Sequence, residues 1–188
     1  MISPKLVEVG RHLNIELHTL STVENIEGEA GNFTVTLKQA PRYVDMEKCI
    51  ACGECTKKCP AKVPDEFNEG LDKRKAIYVP YPQAVPLKYA IDPERCLKLT
   101  KDKCGTCEKK CPTGAVNYED TEKTIELSVG SVIMAAGFKP YDPGKLDNFQ
   151  YNAYPNVVTS IEFERLLSAG GPTSGHIECF PDKSEPKK

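Results

Sequence analysis

Apolar and polar residues alternate with a period of two in three short stretches of this chain: Asn14-Ile15-Glu16-Leu17-His18, Phe33-Thr34-Val35-Thr36-Leu37-Lys38 and Thr124-Ile125-Glu126-Leu127-Ser128-Val129. That period predicts strands. Thr22 to Gly28 reads as a further extended piece, running into a turn at Glu29-Ala30-Gly31-Asn32. Val132-Ile133-Met134-Ala135-Ala136-Gly137 is wholly apolar and predicts a strand buried on both faces of an α/β sheet. Its small residues suit a place where the backbone passes close to something, and Pro140 and Pro143 then interrupt regular structure.

Two segments carry helix signals. Ser3 to Gly10 has Ser3 to cap, Pro4 for the first helical position and Gly10 to close the end. Thr159-Ser160-Ile161-Glu162 is a capping box ahead of Phe163, Leu166 and Leu167, and Gly170-Gly171-Pro172 ends that helix. The tail to Lys188 is polar and reads as loose.

Between these flanks, residues 42–120 show neither period for long. They hold eight of the nine cysteines, arranged as an internal repeat. Cys49-Ile50-Ala51-Cys52-Gly53-Glu54-Cys55-Thr56-Lys57-Lys58-Cys59-Pro60 is answered by Cys96 and then Cys104-Gly105-Thr106-Cys107-Glu108-Lys109-Lys110-Cys111-Pro112. The lead-ins Val44-Asp45-Met46-Glu47-Lys48 and Ile91-Asp92-Pro93-Glu94-Arg95 match as well.

Such spacing suits iron–sulfur chemistry. A cubane cluster needs four thiolates converging on one small object. Cysteines three apart let a tight loop present three of them, with backbone N–H groups turned towards the sulfurs. Gly53 and Gly105 permit the loop by accepting positive φ and a close backbone approach. The proline after the fourth cysteine sends that sulfur away from its own loop. In the C-x2-C-x2-C-x3-C-P ferredoxin pattern the fourth cysteine ligates the other cluster. Cys49, Cys52, Cys55 and Cys111 are therefore assigned to one 4Fe–4S cluster, and Cys59, Cys96, Cys104 and Cys107 to a second. The seven-residue gap Leu97–Lys103 departs from the pattern. A loop there can fold back and cover one face of the second cluster, whereas failure of Cys96 to ligate would leave a three-iron cluster or none.

Other readings remain beside this one. Zinc also takes four thiolates, so a zinc-stabilised, non-redox interaction module is an alternative. A disulfide framework is disfavoured because no secretory h-region precedes the cysteines. The insert between Cys59 and Cys96 reads as loop decoration or a partner-docking surface, with Ala76-Ile77-Tyr78-Val79 and Lys88-Tyr89-Ala90-Ile91 able to pair as a small hairpin. The pairs Lys57/Lys58 and Lys109/Lys110 read as a solvated face, although cations beside a cluster favour its reduced state. His12, His18 and His176 lack ligand spacing, and Cys179 reads as a spare thiol.

Composition adds limits. The formal net charge of −2 provides no basic field for nucleic acid. No apolar run is long enough to span a bilayer, and with no signal segment the expected compartment is the cytoplasm. No Ser–His–Asp or paired-carboxylate arrangement stands out, so no catalytic residue is assigned.

The flanks make a resemblance specific. Pro4-Lys5-Leu6-Val7-Glu8-Val9-Gly10-Arg11-His12, Glu29-Ala30-Gly31-Asn32-Phe33, Pro41-Arg42-Tyr43-Val44-Asp45, both cysteine runs, Phe67-Asn68-Glu69-Gly70, Arg74-Lys75-Ala76-Ile77-Tyr78 and Tyr154-Pro155-Asn156-Val157-Val158-Thr159-Ser160 resemble an internal stretch of the A-subunit of heterodisulfide reductase, an iron–sulfur flavoprotein family of anaerobes. The resemblance implies an α+β fold in which a bacterial-type dicluster ferredoxin domain (42–120) is inserted between pieces (1–41 and 121–188) of a thioredoxin-reductase-like FAD domain. Ala135-Ala136-Gly137 with Pro140 resembles the flavin-proximal A-T-G-x-x-P signature of such proteins, with Ala136 where threonine is usual.

No G-x-G-x-x-G is present, so the nucleotide's pyrophosphate site is not encoded here. The chain reads as a fragment or one frame of a split polypeptide that would not retain FAD alone. The implied activity is electron relay within an oxidoreductase. Its partners would be other heterodisulfide reductase subunits or a hydrogenase- or ferredoxin-type donor. Part of a quinone-interacting oxidoreductase complex is the alternative within the same resemblance.

Overall fold

The computed structural model describes residues 2–186; Met1 and the last two residues of the polar tail, Lys187 and Lys188, lie outside the described residues. In chain order the elements begin with α1 (Ser3–Arg11), β1 (Ser21–Glu29), β2 (Asn32–Gln39), α2 (Glu54–Lys57), β3 (Val63–Pro64) and β4 (Lys73–Arg74). There follow β5 (Ile77–Tyr78), β6 (Ala90–Ile91), α3 (Leu97–Lys101), α4 (Thr106–Lys110), β7 (Lys123–Val129) and α5 (Ser160–Leu167). They form two compact units. One comprises the chain up to Ala61 plus Lys75–Ala135, the other Lys62–Arg74 plus the chain from Ala136 onward.

In the first unit β1, β2 and β7 make an antiparallel sheet with β2 in the middle. The predicted turn at Ala30-Gly31 closes the β1–β2 hairpin, and Gly31 N donates to Gly130 O (3.0 Å) where the sheet ends. Of the three strands only β2 carries buried side chains, Val35 and Leu37. The predicted hairpin of the insert also forms, with Ile77 opposite Ile91 and Tyr78 opposite Ala90.

Three local expectations are corrected. Asn14–His18 is not a strand, because its amides are used locally: Asn14 N donates to His12 Nδ1 (3.2 Å) and Ile15 N to His12 O (3.1 Å). Val132–Gly137 is not a buried strand either. It is irregular and exposed, with Ile133 at 90% and Met134 at 72% exposure. Pairing stops at Val129, and no strand among the described residues offers this run a ladder of N–H and C=O groups. Third, Ser3 makes no cap, since α1 begins at Ser3 with Ile2 in the capping position, and Gly10 stays inside the helix. A Cβ on Gly10 would meet Val85 Cγ1 at 2.3 Å, so glycine serves close packing there rather than termination.

The cysteine repeat lies in the first unit, and its two halves fold alike. Asp45 Oδ1 accepts from the amides of Glu47 and Lys48 (2.9 and 3.2 Å), and Asp92 Oδ1 from those of Glu94 and Arg95 (3.1 and 3.2 Å). Cys49 N donates to Asp45 O and Cys96 N to Asp92 O, each at 3.0 Å. Each lead-in pairs with chain that follows the other half's cysteines. Asp45 N bonds Ala115 O (2.7 Å) and Asn117 N bonds Tyr43 O (2.9 Å), while Asp92 N bonds Ala76 O (2.8 Å). The Asp120 carboxylate accepts from the amides of Arg42 and Tyr43 (3.0 and 3.2 Å), tying the end of the module to its start.

The core of this module is small: Val44, Ala76, Ile77, Ile91, Ala115 and Val116, completed by Cys49, Cys55, Cys96 and Cys107. Ile77 is its largest fully buried side chain, at 1% exposure. Ile77→Ala is expected to destabilise the protein by about 3 kcal/mol through lost burial and the cavity left behind, read as a lowered midpoint in anaerobic thermal denaturation.

In the second unit β3 and β4 pair antiparallel. The turn between them is fastened to α5, whose predicted capping box forms: Glu162 N donates to Thr159 Oγ1 (3.2 Å) and Thr159 N to Glu162 Oε2 (2.6 Å). Buried Arg165 donates through Nε to Asn68 Oδ1 (3.0 Å) and lies 4.5 Å from the centre of the Phe67 ring. Leu166 is buried, whereas Phe163 and Leu167 are exposed, so α5 buries a narrower stripe than its sequence predicts. α5 ends at Leu167, ahead of the Gly-Gly-Pro stop.

Candidate metal centres

Each cysteine run builds its loop in the same way. Gly53 (φ +80°) and Gly105 (φ +151°) take positive φ where the chain enters α2 and α4. Thr56 N then bonds Gly53 O and Lys109 N bonds Gly105 O (3.1 and 3.2 Å), and each fourth cysteine bonds back into its own turn, Cys59 N to Thr56 O and Cys111 N to Glu108 O, both 3.2 Å. The two short helices pack on one another, which brings the runs face to face.

Two cavities result. One is lined by Cys49, Cys52, Cys55 and Cys111, together with Val44, Ile77 and Tyr89. The other is lined by Cys59, Cys96, Cys104 and Cys107, together with Leu97, Ile91 and Tyr118. These are the same two sets into which the sequence pattern groups the cysteines. Ile77 lines both cavities and stands between them. All nine cysteines are free thiols. Among the described residues no three His, Cys, Asp or Glu side chains converge tightly enough for a single metal ion; the sulfurs instead surround a space.

The seven-residue gap is α3, with Cys96 at its N-cap position and Asp102 in the left-handed region (φ 52°) closing it. Thr100 Oγ1 donates to Cys96 O (2.8 Å). Leu97 lines the second cavity and Leu99 packs on the core, so the extra residues leave Cys96 at the wall and supply an apolar cover.

The sulfurs differ in their surroundings. Burial pushes the Cys55 thiol up to about 12, with the neighbouring Cys107 and Cys49 sulfurs adding to the shift. Burial raises Cys107 as well, against a hydrogen bond from Tyr118. Cys104 is held below the ordinary thiol range by the Thr106 amide and hydroxyl. For Cys111, burial is outweighed by the Thr113 hydroxyl and the amides of Ala115, Thr113 and Val116, so it too is lowered. Ala115 N donates to Cys111 Sγ at 3.2 Å. These inward N–H groups suit a bound thiolate rather than a thiol.

Four contacting residues escaped the sequence reading. Lys75 Nζ donates to Cys59 O (2.7 Å) and Lys88 Nζ to Cys49 O (2.6 Å), one ammonium at each site. Tyr118 Oη lies 2.8 Å from Cys107 Sγ, and Tyr89 stands in the wall of the first cavity. Lys75, Lys88 and Tyr89 come from the insert, where no repeat marks them. The lysines that the sequence singles out are peripheral by comparison: Lys57 is paired with Glu54 (2.5 Å) at the surface, and Lys58, Lys109 and Lys110 are exposed.

The remaining candidates stay apart from the cavities. Ala135, Ala136 and Gly137 are exposed and irregular. His12 accepts from Asn14, His18 lies beside Glu16 (3.4 Å), and Cys179 sits in a turn closed by Cys179 N to Ser184 O (2.8 Å). No helix among the described residues is long and apolar enough to cross a membrane.

Comparison with known proteins agrees with this geometry. Residues 48–115 match the family described as the 4Fe-4S dicluster domain. The iron-sulfur A-subunit of the CoB–CoM heterodisulfide reductase of Methanocaldococcus jannaschii is 46% identical over 176 residues, covering 94% of this chain and 26% of that protein. The A-subunit of the H(2):CoB-CoM heterodisulfide,ferredoxin reductase of Methanothermobacter marburgensis is 40% identical over 188 residues, 100% of this chain and 28% of that protein. The A-subunit of the H(2)/formate:CoB-CoM heterodisulfide,ferredoxin reductase of Methanococcus maripaludis is 45% identical over the same share. The chain thus spans about a quarter of the length of these relatives. Over that quarter, and with a 4Fe-4S dicluster domain at its centre, the chain is similar to the A-subunits of heterodisulfide reductases.

Proposed function

We propose that this chain is the electron-relay portion of an oxidoreductase like the heterodisulfide reductase A-subunit, passing single electrons between a flavin and outside redox partners. One observation carries the reading: each of two separate cavities is walled by three cysteines of one run and the fourth of the other. Cys49, Cys52, Cys55 and Cys111 would hold one 4Fe–4S cluster, and Cys59, Cys96, Cys104 and Cys107 the second. Bound there, the clusters supply one-electron exchange. The chain's own part is to exclude water with Val44, Ile77, Ile91 and Leu97, to direct backbone N–H groups at the sulfurs, and to place Lys75 and Lys88 where positive charge favours the reduced state.

The layout we infer is a dicluster module at 42–120, with 1–41 and 121–188 belonging to a thioredoxin-reductase-like FAD domain. In that layout the exposed Ala135-Ala136-Gly137 segment faces the flavin side, and FAD requires more sequence than this chain holds. Other heterodisulfide reductase subunits, or a hydrogenase- or ferredoxin-type donor, are the partners this implies, in the cytoplasm. The names of the relatives, which mention H(2), formate and ferredoxin, support that class of partner.

Anaerobic iron and sulfide analysis with EPR of the reduced protein tests the reading. Two interacting cubane signals are the expected result. One isolated cluster, or zinc without iron, would overturn it.

A further inference from the structure

The two cavities are built so alike that their differences stand out. Lys75 and Lys88 each donate to the carbonyl of one cysteine, at Cys59 and Cys49 (2.7 and 2.6 Å). Thr106 Oγ1 and Thr113 Oγ1 each lie 3.6 Å from a sulfur, of Cys104 and Cys111. Backbone amides serve both sites, Ala115 at Cys111 and Thr106 and Gly105 at Cys104. These features cancel between the sites.

The tyrosines do not cancel. Each cavity has one in its wall, Tyr89 in the first and Tyr118 in the second. The Tyr89 hydroxyl lies over Gly53, 3.4 Å from where a Cβ would stand, and it hydrogen-bonds no sulfur among the described residues. Tyr118 aims its hydroxyl at Cys107 Sγ, 2.8 Å away, and Cys107 is buried. The Lys98 ammonium is 6.0 Å from the Tyr118 ring centre, but Asp102 pairs it, so the hydroxyl remains the main asymmetry.

We propose that Tyr118 is a potential-setting residue: its hydroxyl donates to the Cys107 sulfur and makes the site of Cys59, Cys96, Cys104 and Cys107 the more readily reduced of the two. The direction of the bond follows from chemistry, since a metal-bound thiolate has no proton to give. Adding an electron raises the negative charge on the ligand sulfurs, so a donor to one of them binds the reduced form more strongly than the oxidised form. A hydrogen bond to a charged acceptor changes such a ratio by roughly tenfold. The first electron entering the module therefore settles at the second site.

This inference rests on the two-cluster reading, and the test separates the two. Protein carrying Tyr118→Phe is compared with wild type for iron and sulfide content and then titrated anaerobically, each cluster being followed by EPR. The expected result is unchanged iron content, an about tenfold fall in the reduced-to-oxidised ratio of the more readily reduced cluster at fixed ambient potential, and no change in the other. Tyr89→Phe should leave both ratios nearly as they were.

Absence of clusters from the wild-type protein would overturn the underlying reading. Two clusters whose ratios ignore Tyr118→Phe, or a shift in the cluster that is harder to reduce, would overturn this inference alone. Should Tyr118→Phe lose a cluster, a fluorotyrosine at the same position, a stronger donor of equal shape, must raise the ratio of one cluster only; an unchanged ratio then counts against the proposal.

Discussion

Removing two cysteines is expected to destroy either one cluster or both, depending only on which pair is chosen. Cys59 and Cys104 belong to different runs but wall the same cavity. The double variant Cys59→Ser/Cys104→Ser should therefore lose one cluster and keep the other, with iron and sulfide close to half of wild type and the interaction pattern in the EPR spectrum gone. Cys111 and Cys104 lie in the same run but wall different cavities. The double variant Cys111→Ser/Cys104→Ser should damage both sites and leave little or no intact 4Fe–4S signal. If each run held its own cluster, the outcomes would swap. The contrast does not depend on how serine behaves at any one position, because Cys104 is changed in both proteins.

Stripping the iron is expected to have the second large effect, on the fold itself. The module's core contains six apolar residues besides four cysteines, and two cysteine-lined cavities lie against it. With the metal gone, that space is either wet or collapsed, and the aliphatic core alone is too small to hold the loops. Ligand binding that exists only in the folded state contributes directly to folding free energy. Anaerobic chelation should thus abolish the cooperative thermal transition of the module and open residues 42–120 to proteolysis. Re-addition of iron and sulfide under reducing conditions should restore both. A chelated protein that still melts cooperatively near the original midpoint would show that the polypeptide core suffices without metal.

The part legible in the sequence is the part governed by short-range rules. Cysteine spacing, the two glycines and the C-P steps are local requirements of a thiol-bearing loop, and both loops form as that spacing predicts. Period-two alternation found β2 and β7, and the capping box found α5, because alternation and capping act over a few residues. Where a local pattern needed a distant partner, it misled. Val132–Gly137 has the composition of a buried strand, yet a strand exists only beside another backbone, and none of the described strands lies there. Asn14–His18 alternates correctly, but its amides had nearer acceptors in His12.

Sequence by itself determined the repeat and the spacing of its eight thiols, since both are written in residue order. The tertiary structure alone decided which side chains reach the cysteines. Tyr118 follows Cys107 by eleven residues, and Lys75 and Lys88 sit in an insert without any repeat to mark them, yet all three end within hydrogen-bond distance of a cysteine. Only the pairing of each lead-in with the chain beyond the other half's cysteines brings such residues to the wall. A hydrogen bond depends on a few ångströms in space, whereas residue order specifies distance along the chain, and the two coincide only inside a turn or a loop.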